Sequence, residues 1–171
     1  MATTRGSLAV RLPSPSLWRP WHWFVLAAVI VVLDLVTKTW ADAALTLRRP
    51  VEVLPFLNLT LVYNPGAAFG ILADAGDWQR WFLVGVTILL GGFIAGWLAR
   101  GARGKAWLSA ALALILAGAI GNLIDRLLFG HVIDFIDIHA FGWHWPAFNV
   151  ADMAITCGAL LLIVLTLLGR E

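Results

Sequence analysis

The residues in this sequence that could do chemistry are mainly carboxylates, and most of them have an amide or a cation close by. They fall into four groups in an otherwise apolar chain: Asp34 with Lys38, Asn122 with Asp125 and Arg126, Asp134, and Asn149 with Asp152. Two aspartates held together where water is scarce suit general acid–base hydrolysis. Like charges a few ångströms apart cannot both ionise comfortably, so one carboxyl keeps a proton while the other acts as a base.

Each group also has a purely structural explanation. Asp125 and Arg126 could mark the end of a span, and Asp134 could be a solvated charge in a connection. Asp34 and Lys38 are four residues apart and can neutralise each other on one face of a helix. Asn149 can cap a helix, because Asp152 follows three residues later, where its charge favours the positive end of the helix dipole. The same charges could instead serve a small carrier or a proton relay.

Catalysis by a serine or cysteine nucleophile has little support in the sequence. Cys157 is the only cysteine and lies inside a long apolar segment. The more polar stretches, residues 41–80 and 125–150, contain no serine. A dithiol redox enzyme is excluded because it needs two cysteines and the sequence contains one.

The sequence contains one set of potential metal ligands outside the apolar segments. These are His131, His139, His144, Asp134 and Asp137. Their spacing matches no compact pair of helical ligands, and histidines in connections are commonly surface residues. We therefore expect neither a metal ion nor another cofactor, and we keep metallohydrolase chemistry as an alternative.

The elements that must position these residues are membrane-spanning helices. Of 171 residues, 61% are hydrophobic and 13% are charged, far from the composition of soluble domains. Four segments have the roughly 20 mostly apolar residues that cross about 30 Å of hydrocarbon. They are residues 21–40, 81–99, 106–124 and 151–168. We expect residues 21–171 to form one membrane domain and residues 1–20 to form a loosely ordered tail.

Basic residues predict the orientation of these spans. Arginines precede the first span, and Arg100, Arg103 and Lys105 surround the short connection between the second and third. Cytoplasmic connections carry an excess of Lys and Arg. Both termini are therefore expected in the cytoplasm, and the two longer connections are expected outside. The ten tryptophans lie near the predicted span ends, where indole rings prefer to sit.

The two longer connections contain strand-like segments. Residues 51–64 (VEVLPFLNLTLVYN) and 131–141 (HVIDFIDIHAF) mix apolar and polar residues in a partly alternating pattern. The intervening NPGAAFG has turn chemistry and is followed by a candidate short helix. We expect a small sheet of this apolar character to lie against the membrane surface.

On this map the four polar groups reach the same depth, at the outer ends of the spans. Ionisable groups at membrane depth are costly, usually face the protein interior and by default indicate a site. Their convergence favours one functional polar site over four unrelated structural explanations.

Five motifs, in order, resemble those of the bacterial lipoprotein signal peptidase family, also called signal peptidase II. They are DLVTK (34–38), YNPGAAFG (63–70), GNLIDRL (121–127), GHVIDFID (130–137) and FNVADMAI (148–155). The resemblance covers almost everything after residue 20, whereas the proline-bearing tail is not part of the family pattern. The family consists of membrane aspartic proteases.

The resemblance implies an all-α integral membrane protein with four transmembrane helices, a small periplasmic β-sheet and a short periplasmic helix. It implies that Asp134 and Asp152 are the catalytic dyad. The supporting residues that it implies are Asp34, Lys38, Asn64, Gly66, Asn122, Asp125, Arg126 and Asn149.

The resemblance also implies the substrate and the place of action. The family removes the signal peptide from prolipoproteins whose cysteine already carries diacylglycerol, cleaving just before that cysteine. The expected location is the bacterial cytoplasmic (inner) membrane, with the site at the periplasmic face. We expect a monomer surrounded by membrane phospholipid, with no metal, cofactor or nucleic acid.

Overall fold

A computed structural model of the protein describes residues 20–66, 78–101 and 105–169. Its four long helices are α1 (Pro20–Ala44), α2 (Trp78–Gly101), α3 (Ala106–Leu128) and α4 (Val150–Leu167). All four are long and apolar enough to cross a membrane, so the prediction of four apolar helices is confirmed. Two sequence predictions concern residues outside this description: the tail before Pro20, and the short helix after the NPG turn.

The central helix of the bundle is α3. In its most apolar segment 56% of the residues are buried, against 17–22% in those of the other three helices. Glycines allow its close contact with α4. A Cβ atom at Gly118 would collide with the backbone carbonyl oxygen of Ala151, and one at Gly158 would lie 2.7 Å from the carbonyl oxygen of Ala111. Small residues at such crossings let helix backbones approach, which brings the ends of α3 and α4 together.

The apolar core occupies one end of the bundle. Its buried side chains include Trp23 near the start of α1, Leu98 near the end of α2, Leu108 near the start of α3 and Leu165 near the end of α4. Because successive helices alternate in direction, these positions share one end. The polar groups therefore gather at the opposite end.

A four-stranded antiparallel sheet covers that opposite end. Its strands are β1 (Val51–Leu54), β2 (Leu57–Asn64), β3 (Val132–Ala140) and β4 (Trp143–His144), in that spatial order. The predicted small sheet is thus confirmed, while β4 was not predicted. In the β2–β3 register, Val62 lies opposite Asp134.

The segment after β4 returns to the helix bundle along β3. The backbone N–H of Phe148 donates to the carbonyl oxygen of Ile136, and the carbonyl oxygen of Phe148 accepts from Ile136 in turn. This pairing delivers Asn149, the residue that begins α4, to a position beside Asp134. Strand β3 and helix α4 therefore meet at the polar end of the bundle.

Candidate active site

The fully buried side chain of Asn149 links the two predicted catalytic aspartates. Its Nδ2 donates to Asp134 Oδ1 at 2.7 Å. Its Oδ1 accepts from the backbone N–H of Asp152 at 2.9 Å, and Asp152 Oδ2 accepts from the backbone N–H of Asn149 at 3.2 Å. This reciprocal capping box begins α4, which confirms the cap predicted from the spacing. Asn149 thus holds both carboxylates: that of Asp134 through its side-chain amide, and that of Asp152 through its backbone N–H.

Asp134 lies on β3 with only 2% of its surface exposed. Its second carboxylate oxygen, Oδ2, accepts from Asn64 Nδ2 at 3.1 Å. Burial, and after it the negative charge of Asp152, raise the pKa of Asp134 to about 7, although the hydrogen bonds from Asn64 and Asn149 act in the opposite direction. Near neutral pH this carboxyl therefore holds a proton for much of the time.

Asp152 lies at the start of α4 and is more accessible than Asp134. Its Oδ1 accepts from Asn122 Nδ2 at 2.8 Å. The other side of the same amide, Asn122 Oδ1, accepts from Lys38 Nζ at 2.9 Å. Asn122 therefore connects Asp152 to a buried cation without placing that cation on the carboxylate itself.

Lys38 is the centre of a buried ion cluster. Its ammonium lies 2.7 Å from Asp34 Oδ2 and 3.0 Å from Asp125 Oδ2, so the ion pair predicted from the spacing of Asp34 and Lys38 is present. Both aspartates also accept from the backbone: Asp34 from Ala151 N–H at 2.8 Å and Asp125 from Ile133 N–H at 3.1 Å. The cluster thus joins α1 and α3 to the starts of α4 and β3.

Arg126 anchors the chain that leaves β2. Its two terminal nitrogens donate to the carbonyl oxygens of Asn122, at 3.2 Å, and Gly66, at 2.8 Å. The backbone N–H of Gly66 donates to Asn64 Oδ1 at 3.0 Å, and Asn64 in turn holds Asp134. The position of this turn is therefore coupled to the orientation of the Asp134 carboxylate.

The structure brings every predicted site residue into one hydrogen-bonded network. Its members are Asp34, Lys38, Asn64, Gly66, Asn122, Asp125, Arg126, Asp134, Asn149 and Asp152. Four aspartates face two cations in this buried cluster. The excess of negative charge favours retention of a proton on one aspartate.

The other aspartate of β3, Asp137, faces different partners. Its carboxylate accepts from Thr60 Oγ1 at 3.1 Å and lies 2.8 Å from Nδ1 of His144. Burial alone would raise the pKa of Asp137, but hydrogen bonds from His144 and Thr60 outweigh it and hold that pKa below its usual value. Asp137 is therefore separate from the Asp134–Asp152 network.

The alternative metal site finds no matching geometry. The rings of His139 and His144 stack on each other, and the ring of His131 contacts that of Tyr63 at a tilt of 37°. Within residues 20–66, 78–101 and 105–169, no group of three or more His, Cys, Asp or Glu side chains is arranged to hold a metal ion.

Sequence reasoning missed three contacts that brace the site. Gln79 Nε2 donates to the carbonyl oxygen of Pro65 at 3.2 Å, and Arg80 Nη2 donates to that of Leu127 at 2.7 Å. Tyr63 donates its hydroxyl to Asp42 at 2.6 Å. Asp42, Gln79 and Arg80 flank predicted spans, and Tyr63 lies near the end of a predicted strand. Their residue types carry no spacing signal that would pair them.

Comparison with known proteins connects this geometry to a family. Residues 26–168 match the family model described as Signal peptidase (SPase) II. A lipoprotein signal peptidase from Hydrogenovibrio crunogenus is 48% identical over 154 residues, which are 90% of this chain and 87% of that protein. One from Cupriavidus necator is 51% identical over 145 residues, covering 85% of this chain and 82% of the other.

A solved structure, described as a bacterial membrane enzyme determined by the in meso method at 2.3 Å resolution, has a similar fold. It superposes with a TM-score of 0.78 at 36% identity, covering 86% of this chain and 88% of that chain. A second such structure, at 1.9 Å resolution, gives a TM-score of 0.76 at the same identity.

Proposed function

This chain belongs to the signal peptidase II family of aspartic proteases, which cleave signal peptides from prolipoproteins, and we propose that Asp134 and Asp152 are its catalytic dyad. The observation that carries the proposal is the position of Asn149. Its side-chain amide donates to one carboxylate, while its side-chain oxygen and backbone N–H form the capping box with the other. Two aspartates that are held together in different environments are suited to act one as a general acid and the other as a general base.

The two environments support different roles for the two carboxyls. Asp134 is the more deeply buried and has its pKa raised to about 7, so it is the protonated partner. Asp152 is more accessible and accepts hydrogen bonds from Asn122 and from the start of α4, both of which stabilise a charged carboxylate. Asp152 is therefore the base that activates water.

In the proposed reaction, Asp152 takes a proton from a water molecule whose oxygen attacks the scissile carbonyl carbon. Protonated Asp134 donates a hydrogen bond to the carbonyl oxygen as negative charge develops there. Asp152 then gives its proton to the leaving amine as the carbon–nitrogen bond breaks. The products are a signal peptide with a new carboxyl end and a lipoprotein with a free cysteine amine.

The remaining network residues position the dyad. Asn64, Asn122 and Asn149 orient the carboxylates through direct hydrogen bonds. The ion cluster around Lys38 and the contact between Arg126 and Gly66 hold the surrounding backbone in place. These residues are positioning groups, and their chemistry requires no cofactor or metal.

The proposed substrate is a prolipoprotein whose cysteine carries diacylglycerol, cleaved immediately before that cysteine. Its signal peptide is an apolar segment, suited to the lipid-facing side of the bundle. The proposed location is the cytoplasmic (inner) membrane of a bacterium, with both termini in the cytoplasm and the sheet and dyad at the outer face, because the N-terminal tail and the short connection between α2 and α3 are rich in Arg and Lys. We propose that the protein acts as a monomer among phospholipids.

The test is cleavage of a diacylated prolipoprotein by purified protein, with and without EDTA. We expect signal-peptide release at equal rates, and no release from the same precursor without its lipid. Loss of cleavage in EDTA with recovery on addition of zinc would contradict the dyad mechanism. Equal cleavage of the unlipidated precursor would contradict the proposed substrate.

A further inference from the structure

Exposed apolar side chains cover the end of the sheet farthest from the dyad. Strand β3 runs from the Asp134 end towards residue 141, and seven residues of strand span roughly 23 Å. We call the exposed group at this end the apolar tip. It consists of Phe56, Ile138, Phe141, Trp143 and Trp145.

The turn between β3 and β4 places Phe141 in an unfavourable position. Only two residues, Phe141 and Gly142, connect the paired residues Ala140 and Trp143. Both have positive φ, 52° and 78°, as a type I′ turn requires. Asn–Gly is the usual choice there, because a bulky residue is strained in the left-handed region.

Phe141 is also unfavourable on grounds of exposure. Its relative exposure is 107%, so its ring touches almost nothing in the protein. A strained and fully exposed phenylalanine neither shapes the turn nor fills a core. Such strain is retained where it serves a function outside the fold itself.

The apolar tip is continuous with the lipid-facing surface of the bundle. From the end of α1, exposed Leu47, Val51 and Val53 lead along β1 to Phe56. The carbonyl oxygen of Phe56 accepts from the backbone of His139, and that of Ile138 accepts from Trp145, so the two hairpins adjoin. A large apolar surface rimmed by tryptophan is typical of a membrane interface.

We propose that the apolar tip inserts into the leaflet that surrounds the active site, with Phe141 as its leading residue. Transfer of the Phe141 ring from water to the phospholipid interface stabilises the exposed side chain and offsets the backbone strain of the turn. The sheet is then held to the bilayer at two places: at the bundle, and at a tip about 23 Å away. This inference does not depend on the catalytic assignment.

The first test measures the depth of the tip. In a Cys157→Ala background that keeps Phe141, the exposed neighbour Ala140→Cys is labelled with an environment-sensitive fluorophore and reconstituted in phosphatidylethanolamine–phosphatidylglycerol vesicles. Glu52→Cys, on exposed strand β1, is the matched control. We expect the label at 140 to be quenched by spin-labelled phospholipid and protected from iodide, and the label at 52 to be quenched by iodide.

Two outcomes of that measurement overturn the proposal. Equal iodide quenching at 140 and 52 would place the tip in water. Protection at 140 that develops only after a lipidated substrate is added would make the tip a substrate contact instead.

The second test separates the role of Phe141 from the stability of the turn. The label is moved to Trp145→Cys and combined with Phe141→Asn or Phe141→Trp. Asparagine fits the type I′ turn better, so its variant should have an equal or higher Tm in detergent, yet iodide quenching at 145 should increase several-fold in vesicles. Phe141→Trp should keep the label protected. A label that stays protected in Phe141→Asn would show that Phe141 does not hold the tip in lipid.

Discussion

At the level of single residues, the two proposed catalytic carboxyls differ because they belong to different elements. Asp134 lies on β3 between Asn64 of β2 and Asn149 at the start of α4, and its burial favours the neutral acid. Asp152 belongs to a capping box, in which its carboxylate accepts from the backbone N–H of Asn149. Two residues of the same type can thus serve as acid and as base because their surroundings differ.

Substitution of the aspartates separates chemistry from folding. Asn cannot act as an acid or a base, so Asp134→Asn and Asp152→Asn should each lower the cleavage rate by roughly 10²–10⁴-fold. Asp137→Asn is the matched control on the same strand, because its carboxylate contacts Thr60 and His144. It should keep substantial activity. Cleavage rate and Tm are measured for all three variants in one detergent.

We expect all three variants to keep a Tm near that of the unsubstituted protein. An inactive Asp137→Asn beside an active Asp134→Asn would mean that the dyad includes the other aspartate of β3. An inactive Asp134→Asn with a collapsed Tm would assign that residue to structure.

The raised pKa of Asp134 predicts a pH dependence. We expect kcat/KM to fall as pH rises through about 7, because the dyad then loses its shared proton. The hydrogen bond from Asn64 lowers this pKa, so Asn64→Ala should raise it and move the descending limb to higher pH. Asn58→Ala, on the same strand but bonded to Asp137, should leave the limb in place. A limb that shifts equally in both variants would contradict the assignment.

The same pKa links protonation to stability. Because the folded-state pKa of Asp134 lies above its unfolded value, its favourable contribution is present below about pH 4 and is lost as pH rises through about 7. Relative to Asp134→Asn, the free energy of unfolding should therefore decrease over that range. Thermal unfolding of both proteins from pH 4 to 8 measures the difference, and parallel curves would contradict the raised pKa.

At the level of elements, the approach of α3 to α1 and α4 determines the position of the ion cluster. A Cβ atom at Gly121 would lie 2.5 Å from Asp34 Oδ2 and 3.2 Å from Ala151 Cβ. Gly121→Ala should therefore destabilise the protein by roughly 1–3 kcal/mol and reduce cleavage, since overpacking must move the buried pair. Tm and cleavage rate are the measurements.

Gly92→Ala in α2 is the matched control, because nothing lies within 4 Å of the added carbon. Alanine is the better helix former, so this variant should keep both its Tm and its activity. A Gly121→Ala variant that behaves like Gly92→Ala would show that the helices can separate without cost to the site.

Local spacing predicted the parts of the site that lie within one element. Asp34 and Lys38 are one helical turn apart, and Asn149 and Asp152 have the spacing of a capping box, so each contact follows from helix geometry. The pairing of Lys38 with Asp125, and of Asn149 with Asp134, depends on the order in which helices and strands pack. No local rule contains that information. The order of the spans predicted only that these groups share one depth, and the family resemblance implied the role of each residue.

Strand β4 shows why part of the sheet was not predicted. A two-residue hairpin is normally recognised by Asn–Gly or a similar pair, and here Phe141 precedes the glycine. Phe141, whose type obscures the turn in the sequence, is the residue that we propose inserts into the membrane. Local rules therefore failed where a residue serves an interaction outside the fold.

At the level of the whole molecule, the bundle has one apolar end and one polar end. The buried core around Trp23 and Leu98 lies opposite the network around Asn149. The basic connection between α2 and α3 predicts that the polar end faces outward. A reporter that is active only outside the cytoplasm should therefore work when fused within residues 41–78 or 127–147. It should fail at residue 103 or at the C-terminus. Activity of each fusion in cells, normalised to its amount, is the measurement.

The reverse pattern of reporter activity would place the dyad in the cytoplasm. A lipoprotein signal peptidase could not meet a translocated cleavage site there. Activity at all positions would instead contradict the four-span topology.

The hydrogen bond from the backbone of Ala151 to Asp34 has a consequence for how the protein is made. Asp34 and Lys38 leave the ribosome with the first helix, while their partners on α3 and α4 are synthesised more than 80 residues later, as the 84-residue separation of Lys38 and Asn122 illustrates. During that interval the pair must be sheltered by the insertion machinery or by its own mutual attraction. The enzyme is therefore inactive until α4 has been synthesised. A chain released before α4 would carry Asp34 and Lys38 in the membrane without protease activity.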